Sequence, residues 1–432
     1  MKGTFILLNL LLLSLTLLNN LVYTQSSNYT TYTPIARLLK VPESEVPKLL
    51  SQEKTLIKGN SILTPLLTQN AKIFGGSYID ILANKININT IDLSKKGIIT
   101  NSPDMKPYLD LLSFIQVKYS LFDLNSTFED LAILAKENKA TNVLLSIDYN
   151  FNNIAIYLRH VDDVQNKEFI AVAEKLNPII IYNEPEIPEI VNNSIEFPPI
   201  GNIVPGGDGI RTSNWQTICA AGFWVRSVSN STYSIMTAGH CYDNGPFNPD
   251  GSVDFYHFPW MGMMESVVND VAPGFIGQMA QPNVSVVDKA FILKQNDEIR
   301  VSASVRNTDD QEYPELMIYG TAVIDTVGAI VCKSGYVSHV VCGRIKAIGS
   351  AFEFVKENEI ITYHGLTQTE KIAFQGDSGE PVYGYELSLM PGIIIAGILS
   401  SGNLGLVDEW NVFTPIDMLL TNDIEIITVG NL

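Results

Sequence analysis

The chain has 432 residues, of which 46% are hydrophobic and 17% charged, and a formal net charge of −18 at pH 7. That composition suits a globular protein with room for two or three domains and excludes a disordered one. It also excludes a protein that neutralises a phosphate backbone, since nucleic-acid binding relies on clustered lysine and arginine. Met1 and Lys2 precede an apolar run from Phe5 to Leu18, and polar residues begin near Thr24. The run is short for a span of roughly 20 residues and no basic stop-transfer cluster follows, so residues 1–24 read as a signal peptide that directs secretion and leaves no membrane anchor. Asn28, Asn125, Asn192, Asn230 and Asn283 open N-x-S/T sequons, which carry glycans only in a host that glycosylates.

Residues 25–178 hold no cysteine and no catalytic cluster, and their pattern is α+β. Phe74 to Asp80 and Lys85 to Leu93 read as strands joined by a turn. Ser126-Thr127-Phe128-Glu129 reads as a capping box before a helical run from Leu131 to Ala135. Val143 to Ile147 and Ile154 to Leu158 read as a pair of strands around a turn at Asp148 to Asn153. Residues 179–205 are rich in proline and read as an extended linker.

From residue 206 to 432, short apolar runs alternate with glycine, asparagine and serine, which suggests an antiparallel sandwich or barrel. Candidate strands are Cys219 to Val225, Ser234 to Thr237, Val286 to Leu293, Ile318 to Ile324, Val340 to Ile348 and Ile393 to Leu399. Phe374-Gln375-Gly376-Asp377-Ser378-Gly379-Glu380-Pro381 reads as a tight loop that presents a serine. A serine hydroxyl needs a base, and Thr237-Ala238-Gly239-His240-Cys241 supplies an imidazole. The imidazole in turn needs a carboxylate to orient it. Asp288, in an apolar run expected to be a strand, is preferred over Asp270, which Pro273 and Gly274 place near a turn. Cys219, Cys241, Cys332 and Cys342 allow three pairings, and the absence of CxxC or HxxxH spacing argues against a metal. No cofactor is called for.

The ordered segments around His240, Asp288 and Ser378, with Val331-Cys332-Lys333-Ser334-Gly335 and Cys342-Gly343, resemble the chymotrypsin-like serine peptidases, and most closely their secreted alpha-lytic protease and streptogrisin branch. The resemblance implies a mainly β fold: a double antiparallel β-barrel with the site in the seam, preceded by a smaller α+β pro-domain that guides folding and then blocks the site. A looser similarity of Phe74-Gly75-Gly76 and of the turn with Asn152 and Asn153 to that pro-region points the same way. Asn202 to Gly207 resembles a mature start, with cleavage near Gly201. The resemblance further implies disulfides Cys219–Cys241 and Cys332–Cys342, an oxyanion hole from the N–H groups of Gly376 and Ser378, and a buried ion pair between Lys333 and Asp377.

Ser400-Ser401-Gly402 looks like the edge that pairs with substrate backbone. Ile372, Ala373, Leu399 and Gly402 are then expected to line the pocket for the residue before the scissile bond, favouring an apolar one. Leu399 stands where acid-selective streptogrisin relatives use a histidine. Glu380 departs from the usual glycine and is expected to point away from the site. His257 is expected on a surface loop, His339 in the disulfide hairpin, His364 in a turn and His160 in the pro-region. The implied molecule is a monomeric secreted endopeptidase made as a precursor, acting on proteins or peptides. The alternative is a catalytically silent homologue that keeps the barrels as a peptide- or protein-binding module.

Overall fold

A computed structural model describes residues 30–158, 164–182, 202–243, 245–260, 274–356, 359–402 and 410–432. The signal stretch, His160, Asp270, the sequons at Asn28 and Asn192 and the expected cleavage point near Gly201 lie outside these residues. Among the described residues no helix is long and apolar enough to cross a membrane.

The N-terminal part is built in two α+β layers. The helix Val46–Gln69 starts with Pro47 in its first turn, where a missing N–H is harmless. It buries Leu49, Leu56, Leu63 and Leu67 at the spacing of one helical face. That face packs on a sheet of Phe74–Asp80, Lys85–Thr90 and Leu112–Gln116. In the second layer the helix Leu121–Glu137 covers the hairpin Val143–Asp148 and Asn153–Leu158. Its capping box is Ser120 with Asp123, each accepting the other's backbone N–H, so the expected box at Ser126 to Glu129 lies inside the helix instead. Ser120 presents the same pattern of hydroxyl and acid one and a half turns earlier, beside the apolar face of Leu121, Leu124 and Leu131. The expected linker also begins later than residue 179. Ile179–Tyr182 is a strand paired in parallel with Asn153–Leu158, because three isoleucines and a tyrosine suit a pleated surface and Pro178 precedes the ladder rather than interrupting it.

Beyond residue 202 the chain is mainly β. One sheet runs in the order Ile424–Ile426, Phe223–Ser227, Tyr233–Thr237, Ala290–Lys294, Phe275–Met279, Val253–Phe258, Gly209–Thr212, Ile218–Ala220. Ile218–Ala220 and Phe223–Ser227 are separated only by Ala221-Gly222, so the path curls back toward its start as a half-barrel. The second barrel closes through Ile330–Gly335, His339–Lys356, Glu359–Glu370, Trp410–Pro415, Gly392–Gly402 and Pro381–Tyr385. The alternation of buried and partly buried residues along Val253–Phe258 is the pattern expected of barrel strands. Contrary to expectation, Asp288 is not in a strand; it sits in the loop two residues before Ala290–Lys294.

The two parts share a sheet and a core. Ala351 to Glu353 of the long strand His339–Lys356 pairs with Val143 to Leu145, and the hydroxyls of Ser146 and Ser350 meet at 2.9 Å. Glu53 projects from the long helix to accept the backbone N–H of Ile330 at 2.5 Å. It is buried, and burial pushes its pKa up to about 7 against the lowering effect of that hydrogen bond.

Candidate active site

The turn Gly239–Tyr242 follows the strand Tyr233–Thr237 and carries His240. Its position is fixed from two sides. The Cys241–Cys219 disulfide ties it to the neighbouring strand, with Cα atoms 6.3 Å apart, and Thr237 Oγ1 donates to the Ala220 carbonyl at 2.9 Å. Asp288 is buried, and its two oxygens hold the histidine at two points: Oδ1 accepts the backbone N–H of His240 at 2.9 Å, and Oδ2 lies 2.7 Å from His240 Nδ1. A carboxylate can only accept, so Nδ1 carries the proton and Nε2 is left with a free lone pair. Ser400 Oγ donates a further bond to Asp288 Oδ2 at 2.9 Å. Burial pushes the Asp288 carboxyl up, but the His240 charge and the hydrogen bonds outweigh it and hold the group below its usual range. For His240 burial acts downward, and Asp288 more than reverses it, so the imidazole is held above its ordinary value of 6.5.

Ser378 sits in the turn between Phe374 and Glu380. Asp377 N–H donates to the Phe374 carbonyl at 3.0 Å, and Ala220 N–H donates to the Ser378 carbonyl at 2.8 Å, which sews the turn to the first barrel. Gly376 and Gly379 have φ of 102° and 85°, conformations that glycine adopts cheaply. A Cβ on Gly379 would also lie 2.0 Å from Thr237 Oγ1, so the serine and histidine loops are packed too closely for any side chain there. Among the described residues the N–H groups of Gly376 and Ser378 donate to no acceptor, and Ser378 Oγ has no partner. His240, Asp288 and Ser378 line one cleft of about 310 Å³. No hydrogen bond joins His240 Nε2 to Ser378 Oγ, and contacts of this kind often tighten only in the complex with substrate.

The anchor of the serine loop is a sealed ion cluster. Lys333 Nζ lies 3.1 Å from Asp377 Oδ2 and 2.9 Å from Glu380 Oε2, with all three side chains fully buried. Asp377 also accepts from the N–H groups of Val337, Ser338 and Phe374 and from the Ser338 hydroxyl, which in turn bonds Lys333. Glu380 Oε1 has no partner. Burial, offset only in part by Lys333, holds the Glu380 carboxyl well above its ordinary range. Glu380 thus faces the interior and shares the lysine, an arrangement that motif reading does not foresee. Its cue is the pairing of Lys333 with two nearby acids. The Cys332–Cys342 disulfide closes the hairpin that carries Lys333.

The expected pocket residues separate into three groups. Ala373, Leu399, Ser400 and Ser401 line the cleft; Ile372 lies behind, packed with Ala373 and Leu399; Gly402 ends the strand Gly392–Gly402. Phe352, Phe354 and Tyr363 of the long hairpin, and Asn411, line it too and carry no sequence motif that marks them. Asn142, just ahead of the N-terminal hairpin, reaches the same cleft. His257 is not on a surface loop. It is fully buried in the strand Val253–Phe258, where alternation turns it inward, and its Nε2 lies 2.7 Å from Asp208 Oδ2. His339 is in the disulfide hairpin and stacks on Trp260, and His364 is exposed on the strand Glu359–Glu370 rather than in a turn. Cys219, His240 and Cys241 are the one group of potential metal donors found among the described residues, and the disulfide leaves them no thiolate.

No family model matches the chain. Among solved structures it is similar to Thermobifida fusca Protease A, at 22% identity and a TM-score of 0.38, over 52% of this chain and 99% of that one. It is likewise similar to Cellulomonas bogoriensis chymotrypsin, at 23% identity and a TM-score of 0.37, over 52% and 100% of the two chains. Nocardiopsis protease is a third, at 18% identity and a TM-score of 0.36, over 52% and 100%. These three, with an alpha-lytic protease homolog, are proteases of the chymotrypsin and alpha-lytic type, and each of the four is matched over nearly its whole length by about half of this chain.

Proposed function

We propose that the chain is the precursor of a secreted serine endopeptidase in which His240, Asp288 and Ser378 form the catalytic row. The observation that carries this reading is the two-point hold of Asp288 on His240, which leaves Nε2 as the acceptor in a cleft shared with an unengaged Ser378 hydroxyl. On substrate binding Nε2 takes the Ser378 proton while Oγ attacks the scissile carbonyl carbon. The free N–H groups of Gly376 and Ser378 receive the developing oxyanion. The imidazolium, stabilised by Asp288, then gives its proton to the leaving amine, and water repeats the cycle in reverse on the acyl-enzyme. The N-terminal α+β part serves as pro-domain, holding the long hairpin by strand addition and reaching the cleft with Asn142.

The test is hydrolysis of a peptide library by matured protein. Cleavage that disappears in Ser378→Ala, with its melting curve intact, supports the reading. The missing bond between His240 and Ser378 favours a silent, peptide-binding homologue as the second reading, and peptide binding without turnover by the matured wild type would decide for it.

A further inference from the structure

The cleft is lined by apolar side chains such as Phe352, Ala373 and Leu399 and by polar ones, Asn411 among them. Asn411, the second residue of the strand Trp410–Pro415, stands opposite Gly402 in the antiparallel register and is 2% exposed. Its side chain is anchored by two hydrogen bonds of one kind. Oδ1 accepts the backbone N–H of Ile372 at 2.7 Å and that of Ala373 at 3.0 Å. Backbone N–H groups only donate, so the pair assigns the oxygen to that side and turns the –NH2 away from it.

Among the described residues that –NH2 has no acceptor, and Asn411 lines the same cleft as Ser378, Ala373 and Leu399. A fixed donor in a cleft that Ala373 and Leu399 also line is a recognition element. A substrate side chain ending in oxygen satisfies it, while an aliphatic one of the same length strips its water and offers nothing in return. Charge narrows the choice further. The ammonium of Lys356 lines the cleft but is held by Asp243 at 2.5 Å, and Asp288 lies close by, so a carboxylate entering the cleft meets no free cation among the lining residues. A neutral carbonyl is therefore favoured over an acid.

We propose that Asn411 selects substrates whose residue before the scissile bond is glutamine or asparagine. This rests on the endopeptidase reading and replaces the apolar preference expected from Ile372, Ala373 and Leu399 with a preference for a side-chain amide. The test is kcat/KM of matured protein on a peptide series differing only in that residue, with glutamine set against methionine and glutamate, and asparagine against leucine. Wild type is expected to favour each amide over its aliphatic match by about tenfold or more, and glutamine over glutamate. Asn411→Asp keeps the oxygen that anchors Ile372 and Ala373 but removes the donor, and is expected to reduce the glutamine-to-methionine ratio about tenfold. Turnover in which methionine and leucine equal or exceed the amides overturns the role of Asn411 and leaves the peptidase intact. An unchanged ratio in Asn411→Asp overturns it as well. A failure to cleave any member of the series, with no fluorophosphonate labelling of Ser378, overturns the peptidase reading and this inference with it.

Discussion

Two histidine–aspartate pairs in this molecule have the same 2.7 Å contact and opposite surroundings. In the first, the His240 side chain is 40% exposed and Asp288 has only neutral donors besides the ring, namely the His240 amide and the Ser400 hydroxyl. In the second, the His257 and Asp208 side chains are 1% and 0% exposed, and Arg306 grips Asp208 through both Nε and Nη2. Asp208 precedes a strand of the first barrel and Arg306 belongs to a strand beside the second, so this pair ties the two together. The pairing alone therefore does not make a base. What distinguishes His240 is a free ring nitrogen in a cleft and a carboxylate whose charge no cation has claimed.

The comparison is broken most severely by removing each imidazole in turn. His240→Ala is expected to lower kcat by roughly 10⁴-fold while leaving the melting temperature in place. His257→Ala should do the reverse, lowering unfolding stability by about 1–3 kcal/mol while kcat/KM of the folded protein holds. Steady-state kinetics and calorimetry on the two variants check the exchange; matching losses of rate would show that the sealed pair is not merely structural.

The sealed cluster beneath the serine loop sharpens the same contrast. Lys333→Met leaves Asp377 and Glu380 buried without a cation, at an expected cost of about 3–5 kcal/mol read by denaturant unfolding. Adding Glu380→Gln should recover part of that loss, because it removes one of the two stranded acids. A smaller effect is expected at Glu53, a sealed carboxyl with no cation near it. Its folded pKa of about 7 lies above the ordinary 4.5, so the protonated form belongs to the folded state. Its contribution is fully present below pH 4.5 and is lost as pH rises to about 7, roughly 3 kcal/mol in all. Unfolding of the Ser378→Ala precursor across that range should show the decline, and Glu53→Gln should flatten it.

The residues of the candidate site are more legible in the sequence than the packing around them. TAGHC and GDSG are short because a loop that presents one atom needs few residues, so His240 and Ser378 could be read locally. The N-terminal strands and their turn at Asp148 were legible from alternation and turn residues for the same reason. The helix Val46–Gln69 is hard to read from the sequence, although its spacing is periodic, because Gly59, Pro65 and several polar residues dilute the pattern. The burial of His257 is not legible locally, since an inward position on a strand depends on register, and register is fixed only by the partners of Val253–Phe258. Asn411 and the Ser400 bond to Asp288 were illegible in a stronger sense. Both arise where residues distant in sequence meet, and no spacing along the chain announces them.

The row of His240, Asp288 and Ser378 is tested most directly by the rate at which a fluorophosphonate labels Ser378 in matured protein as pH is varied. The rate should rise through a single ionisation with its midpoint above 6.5, the neutral imidazole being the form that accepts the proton, and labelling should be lost in His240→Ala. Labelling of Ser378 at one rate across the pH range, undiminished in His240→Ala, would contradict it.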